Sequence, residues 1–173
     1  MTRESSLQEC EGYEHRDSCI IPSKPRIVEI VEFAKRMSYQ KLGLIFCMGL
    51  RQEASIVSQI LETNYFQVAS IICKVGGTPK TAIDIPQSLQ INPAGPESMC
   101  NSLGQAEICN AMGVDFNILL GLCVGHDSIV LKHLYAPATV LAVKDRVTGN
   151  NPLVPIYTYD SYCSYLKKPL VTR

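Results

Sequence analysis

The stretch from Asn117 to Ser128, NILLGLCVGHDS, leaves a chain of this kind few folds to choose from. The run Asn117–Leu122 is nearly all apolar, which suits a parallel strand buried on both faces; a strand with one wet face alternates instead. Gly125 lets the backbone turn sharply, and Asp127 or Ser128 can cap a helix that follows. Cys123 therefore falls where a strand stops and a helix starts. The same construction occurs twice earlier. Leu42–Cys47 (LGLIFC) runs into Gly49, and Phe66–Cys73 (FQVASIIC) runs into Gly76 and Gly77.

Helical periodicity fills the gaps between these runs. Ser23 and Pro25 open a helix whose apolar stripe is Ile27, Ile30, Val31, Ala34 and Met37, with Lys35 and Arg36 in its last turn, where the helix dipole favours cations. A second helix is expected from about 50 to 64, with Ala54, Val57, Ile60 and Leu61 inward and Asn64 as its C-cap. Strand, helix and strand then span about 32 residues, the size of a right-handed βαβ unit. Residues 74–96 form a Gly- and Pro-rich stretch with at most one short element near 83–91. Loops of that length in compact domains are usually functional. A helix over about 97–112, a strand over 116–123, a helix over 127–134 and a strand over 138–144 follow. The tail holds a loop at 149–152, an extended piece near 154–157 and a last helix at 161–168.

Alternating strands and helices predict an α/β fold: a three-layer, mostly parallel, Rossmann-like sheet. Residues 1–22 are polar and aperiodic and read as a poorly ordered N-terminal arm. Residues 23–173 read as a single α/β domain. With 173 residues and 46% apolar content, the chain can bury a full core. Its net charge is zero, and no basic stripe points to nucleic acid. The N-terminus lacks the apolar core of a signal peptide, and no apolar run nears the roughly 18 residues that span a membrane. A cytoplasmic protein is expected, and an oligomer is compatible with the sequence. In that setting the eight cysteines read as reduced thiols rather than a disulfide framework.

In open parallel sheets, ligands bind at the carboxyl ends of the strands. Cys47, Cys73 and Cys123 are each expected there, and Cys100 follows the long loop at the start of a helix. Adjacent strands lie about 4.8 Å apart, so their end residues can reach a common point. Tight CxxC pairs, the usual mark of structural zinc, are absent. Widely spaced cysteines on a rigid sheet suit an iron–sulfur cluster or a catalytic zinc site. Around them, His126 and Lys74 are candidates for moving protons, and Asp127 reads as a helix cap or an acid. Gly76 and Gly77 beside Lys74 can cradle an anion. Lys144, Asp145 and Arg146 end the fourth strand on the same edge, where the arginine can bind a carboxylate or phosphate. Cys109 reads as core, and nothing raises Cys163 or His133.

The motifs Cys47-Met48-Gly49-Leu50 with Glu53-Ala54, Cys73-Lys74-Val75-Gly76, Met99-Cys100-Asn101 with Gly104-Gln105-Ala106, Gly121 through Ser128, and Val143 through Val147 ending in Gly149-Asn150-Asn151-Pro152 resemble a prokaryotic family. It is known as domain of unknown function 1847, and its members are often labelled metal-binding proteins. The likeness covers about Ile27 to Tyr165. It implies Cys47, Cys73, Cys100 and Cys123 as metal or cluster ligands and implies no established reaction. Typical relatives begin with a further cysteine-rich segment, of which Cys10 and Cys19 would be the remnant. Ser102 stands where proline is usual, and Asn150 where histidine is.

Three functions follow from these readings. The first is a metal or iron–sulfur protein with an open site for a small anionic or sulfur-containing ligand, acting as a lyase or sulfur-removing hydrolase. The second is a metal or redox sensor or carrier without turnover. The third is a metal-free thiol enzyme using Cys123 or Cys47.

Overall fold

The computed structural model describes residues 1–170. Four parallel strands form the central sheet: β3 (Lys41–Phe46), β4 (Gln67–Ile72), β5 (Phe116–Leu122) and β6 (Ala138–Val143), in the order β4-β3-β5-β6. Helices α2 (Arg26–Arg36) and α3 (Arg51–Thr63) cover one face, and α4 (Ser102–Ala111) and α5 (His126–His133) cover the other. This is the expected α/β, Rossmann-like architecture with three layers.

The alternation of side chains along each strand splits the core in two. Leu42, Leu44, Ile118 and Leu120 face Ala34, Val57 and Leu61. Ile45, Ile71, Leu119 and Leu122 face Cys109 and Val130. Leu42, Leu44, Ile45 and Ile118 are wholly buried, and each such aliphatic side chain favours the folded state by about 1.5–3 kcal/mol. All seven residues of β5 are buried, as its unbroken apolar run requires.

The first strand in this sheet, β3, has β4 on one side and β5 on the other. The chain therefore leaves β3 toward one edge and later crosses back past it to form β5. Such a reversal opens a crevice outside the carboxyl ends of the two strands concerned, and ligands of open α/β sheets bind there. Here that crevice lies between the ends of β3 and β5, followed directly by Cys47 and Cys123.

Residues 1–22 carry regular structure that their lack of periodicity does not announce. A helix, α1 (Thr2–Glu11), precedes an antiparallel hairpin of β1 (Tyr13–Arg16) and β2 (Cys19–Pro22). Polar contacts hold α1 to α2: Gln8 donates to Glu32 at 2.8 Å, and Arg36 pairs with Glu11. Neither contact has an apolar period. In the tail, Val154–Tyr157, expected as extended, is a single helical turn, α6. Pro155 sits within its first two positions, where a missing N–H and a fixed φ suit a helix start. The last helix is shorter than expected, a 3-10 turn over Ser164–Lys167. No helix among the described residues is long and apolar enough to cross a membrane.

Candidate thiol site at the sheet edge

Across the rim of the sheet, the residues that follow the four strands are Cys73, Cys47, Cys123 and Lys144, in spatial order. The backbone ladder carries this far: Cys73 donates its N–H to Phe46, Cys47 to Leu120, and Lys144 to Leu122. Near the end of β5 the register with β6 shifts at Leu120 and Leu122. Gly121 makes the irregularity affordable, with φ at +65°, and a Cβ there would lie 2.1 Å from Leu50 Cδ1. Gly125, with φ at +88°, then turns the chain from Cys123 into α5.

Cys100 arrives by a different route. It precedes α4 by two residues rather than lying in the helix, and Asn101 is the N-cap. The Asn101 N–H bonds the Cys73 carbonyl at 2.7 Å, and its side chain accepts from Gly104 N–H at 2.9 Å. One residue thus ties the helix start to the strand end and brings Cys100 beside Cys73. The helix begins later than the expected 97 because Glu97 holds the preceding backbone irregular. Its carboxylate accepts from the Ile91 N–H at 2.8 Å and pairs with Lys80 at 2.8 Å.

Three thiols meet here. Cys73 is buried, and the Met48 N–H donates to its sulfur at 3.2 Å. The neighbouring thiols of Cys100 and Cys47, together with burial, drive the Cys73 pKa well up, so it stays a thiol. The Cys73 proton in turn lowers its neighbours. Cys47 falls to about 5, chiefly through Cys73, with the Gly49 N–H and Lys144 adding to the effect. Cys100 falls to about 6, again chiefly through Cys73, with the charges of Lys74 and His126 adding. A single S–H can donate to one flank at a time, so Cys47 and Cys100 share that stabilisation. Lys144 reaches Cys47 across Gly49: a Cβ on Gly49 would lie 3.2 Å from Lys144 Nζ and 3.9 Å from Cys47 Sγ.

Cys123 has a cation of its own. The Arg146 guanidinium donates to its sulfur at 3.0 Å. Cys100, Cys123, His126, Lys74 and Arg146 together line one cavity of about 220 Å³. The expected site residues therefore divide. Lys74, His126, Lys144 and Arg146 face thiols or the cavity. Lys74 also donates to the Ser98 carbonyl. Asp127 accepts from the Ser128 N–H at 2.7 Å, within its own helix. Asp145 accepts from the N–H groups of Val147 and Thr148, which shape the loop after β6; the Thr148 side chain, followed by these N–H groups, holds its carboxyl below the usual range. Gly76 and Gly77 form the turn behind Cys73, where the Gly77 N–H bonds the Lys74 carbonyl. Cys10 and Cys19 are exposed in the N-terminal segment, Cys163 lies in the tail, and all eight cysteines are free.

One supporting residue enters the sequence reading only within the Gly104-Gln105-Ala106 motif, without a role of its own. Gln105 is wholly buried and donates to the carbonyls of Phe46 at 3.2 Å and Ile71 at 2.8 Å. It ties together the ends of β3 and β4, immediately behind Cys47 and Cys73. A glutamine among the apolar positions of a helix is the signal that could have found it.

Among the described residues, no group of three or more Cys, His, Asp or Glu side chains is arranged to hold a metal ion. The chemistry of the donors nonetheless suits a thiophilic metal or cluster: soft sulfurs near enough to shift one another's titration, two of them with depressed pKa values. Two things separate the arrangement from a ligand set: the proton on Cys73, and the contact of Cys123 with Arg146.

The profile of a protein family of unknown function, DUF1847, matches residues 1–141. That span includes all four rim cysteines and also α1 and the hairpin, whereas Lys144 and Arg146 lie just beyond it. An uncharacterized protein of Methanocaldococcus jannaschii is 44% identical over 168 residues, covering 97% of this chain and 83% of the relative. The rim cysteines thus lie within a shared framework, and the chain belongs to the DUF1847 family of proteins of unknown function.

Proposed function

We propose that the rim binds a thiophilic metal ion or an iron–sulfur cluster through Cys47, Cys73, Cys100 and Cys123. The observation that carries this reading is the convergence of Cys47, Cys73 and Cys100 on one end of the sheet: Cys47 and Cys73 directly follow adjacent strands, and the Asn101 N–H bonds the Cys73 carbonyl at 2.7 Å and so brings the preceding Cys100 beside it. Three cysteines from three separate segments would not meet in this way if each merely filled space in the core, as Cys109 does. Zinc and iron–sulfur clusters are the groups that take several thiolates, and thiolate is the form that ligates. Such a group would supply Lewis-acid or electron-transfer chemistry at the crevice. The residues of the chain itself do the rest. Lys144 and Arg146 offset the negative charge of the thiolates, and Asn101 and Gln105 hold the cysteine-bearing segments in place. His126 and Lys74, on the cavity wall, are the groups able to exchange protons with a bound ligand. An enzymatic role, as a lyase or sulfur-removing hydrolase, would use them; a sensor or carrier would not.

A second reading has its own support. A thiol lowered to about 5 beside a lysine is an activated nucleophile without any metal, which favours Cys47 in thiol chemistry. Purification without oxygen separates the two. Stoichiometric zinc, or iron with inorganic sulfide and visible absorption, supports the metal site. A colourless, metal-free protein with one fast-reacting thiol supports the nucleophile.

A further inference from the structure

The cavity beside Cys100 and Cys123 has two unlike walls. Its rim wall carries Lys74, His126 and Arg146 from the ends of β4, α5 and β6. The long loop adds the apolar side chains Ile83, Ile85, Ile91 and Met99, together with the Lys80–Glu97 ion pair. Ile91 is 82% exposed and Ile83 48%, so this loop holds aliphatic side chains at the mouth of the cavity rather than in the core. Exposed aliphatic groups beside a cationic wall fit a ligand with both characters.

The charge balance on the wall is positive. Lys74, Lys80 and Arg146 face one carboxylate, Glu97, which Lys80 already pairs at 2.8 Å. Arg146 has five N–H donors, uses one on Cys123, and is exposed. Its fork remains free to take a carboxylate in two parallel bonds. The volume, about 220 Å³, holds about seven waters at their liquid share of about 30 Å³ each, or a molecule of about eight heavy atoms.

We infer that this cavity binds a small organic carboxylate, with its charged end on Arg146 and His126 and a short aliphatic body against Ile85, Ile91 and Met99. The inference goes beyond the thiol-site proposal, because the free N–H groups of Arg146 and the aliphatic lining are not among the proposed metal ligands.

Hexanoate is the probe, with hexanamide as its neutral counterpart of equal length. Binding is followed by NMR on full-length protein with labelled Ile and Met methyl groups, with metal content measured in every sample. Hexanoate should shift the Ile85, Ile91 and Met99 methyl signals saturably and bind at least tenfold more tightly than hexanamide. Arg146→Gln should remove that tenfold preference while hexanamide binding stays the same. Ile91→Ala, at an exposed position, should weaken both probes. No saturable shift at these methyls, equal affinity for acid and amide, or an unchanged preference in Arg146→Gln would overturn the inference. Loss of metal with hexanoate binding intact would count against the thiol-site proposal alone.

Discussion

Asn101 donates its backbone N–H to the Cys73 carbonyl at 2.7 Å, and that bond and the Asn101 cap on α4 together hold Cys100 beside Cys73. The Asn101 side chain caps α4 at the same time. Asn101→Ala keeps the backbone bond and removes the cap. Loss of an N-cap costs about 0.5–2 kcal/mol. Urea unfolding should therefore show a drop of that size. Cys100 should also titrate at higher pH, because a frayed helix start moves it away from the Cys73 proton. An unchanged Cys100 titration would mean that the cap does not position the thiol.

Gln105 makes a related prediction from the opposite side of the strands. Gln105→Leu keeps the volume but leaves the Phe46 and Ile71 carbonyls without their side-chain donor. The Phe46 carbonyl keeps the Cys73 N–H, so the expected loss is that of the side-chain hydrogen bonds, about 0.5–1.5 kcal/mol each. The stability loss should be accompanied by a rise in the Cys47 pKa as the ends of β3 and β4 loosen. A loss of stability with the Cys47 titration unmoved would make Gln105 purely structural.

The pH dependence of alkylation tests the electrostatics of the rim. Thiolate is the reactive form, and Cys47 is held down to about 5. Its alkylation rate should therefore stay near its plateau down to the neighbourhood of pH 5, where an ordinary cysteine would have lost almost all thiolate. Cys73→Ala removes the largest cause of the shift and should move the midpoint upward furthest. Lys144→Gln removes a smaller contribution and should move it less. Rate profiles of metal-free protein, read by mass spectrometry at each cysteine, give the order directly.

Cys109 supplies a contrast. It is fully buried, makes no rim contact, and burial pushes its pKa up to about 11. A raised folded-state value means that the fold binds this proton when the unfolded chain has released it. The contribution is intact below the unfolded value of about 8.5 and is lost as pH rises toward 11. Stability should thus fall through that window, and Cys109→Ala should have a shallower slope there by one proton. An identical slope in the two proteins would show that Cys109 ionises freely in the folded state.

The strand ends were legible because each apolar run stops at a cysteine followed closely by glycine. That pattern placed Cys47, Cys73 and Cys123 at the carboxyl ends of strands, and the sheet order makes them neighbours along the rim. Cys100 was legible only as a neighbour of a helix start. What brings it in is a backbone bond from Asn101, and backbone bonds leave no trace in residue type. The order of the strands, and with it the crevice between β3 and β5, depends on long-range pairing and has no local signature. The helix α1 was missed because charged and amide contacts to α2 hold it, and these follow no hydrophobic period. Asp145 resembles a ligand in sequence beside Lys144 and Arg146. In the fold its carboxylate is committed to the N–H groups of its own loop.

The central claim is that the rim sulfurs form one metal or cluster site. Its most direct test is metal and sulfide content per chain, measured on anaerobically purified parent, Cys73→Ser, Cys123→Ser and Cys163→Ser proteins. The account predicts stoichiometric content in the parent and in Cys163→Ser, and loss of at least nine-tenths of it in Cys73→Ser and Cys123→Ser. A metal-free parent, or equal content in all four proteins, would contradict it.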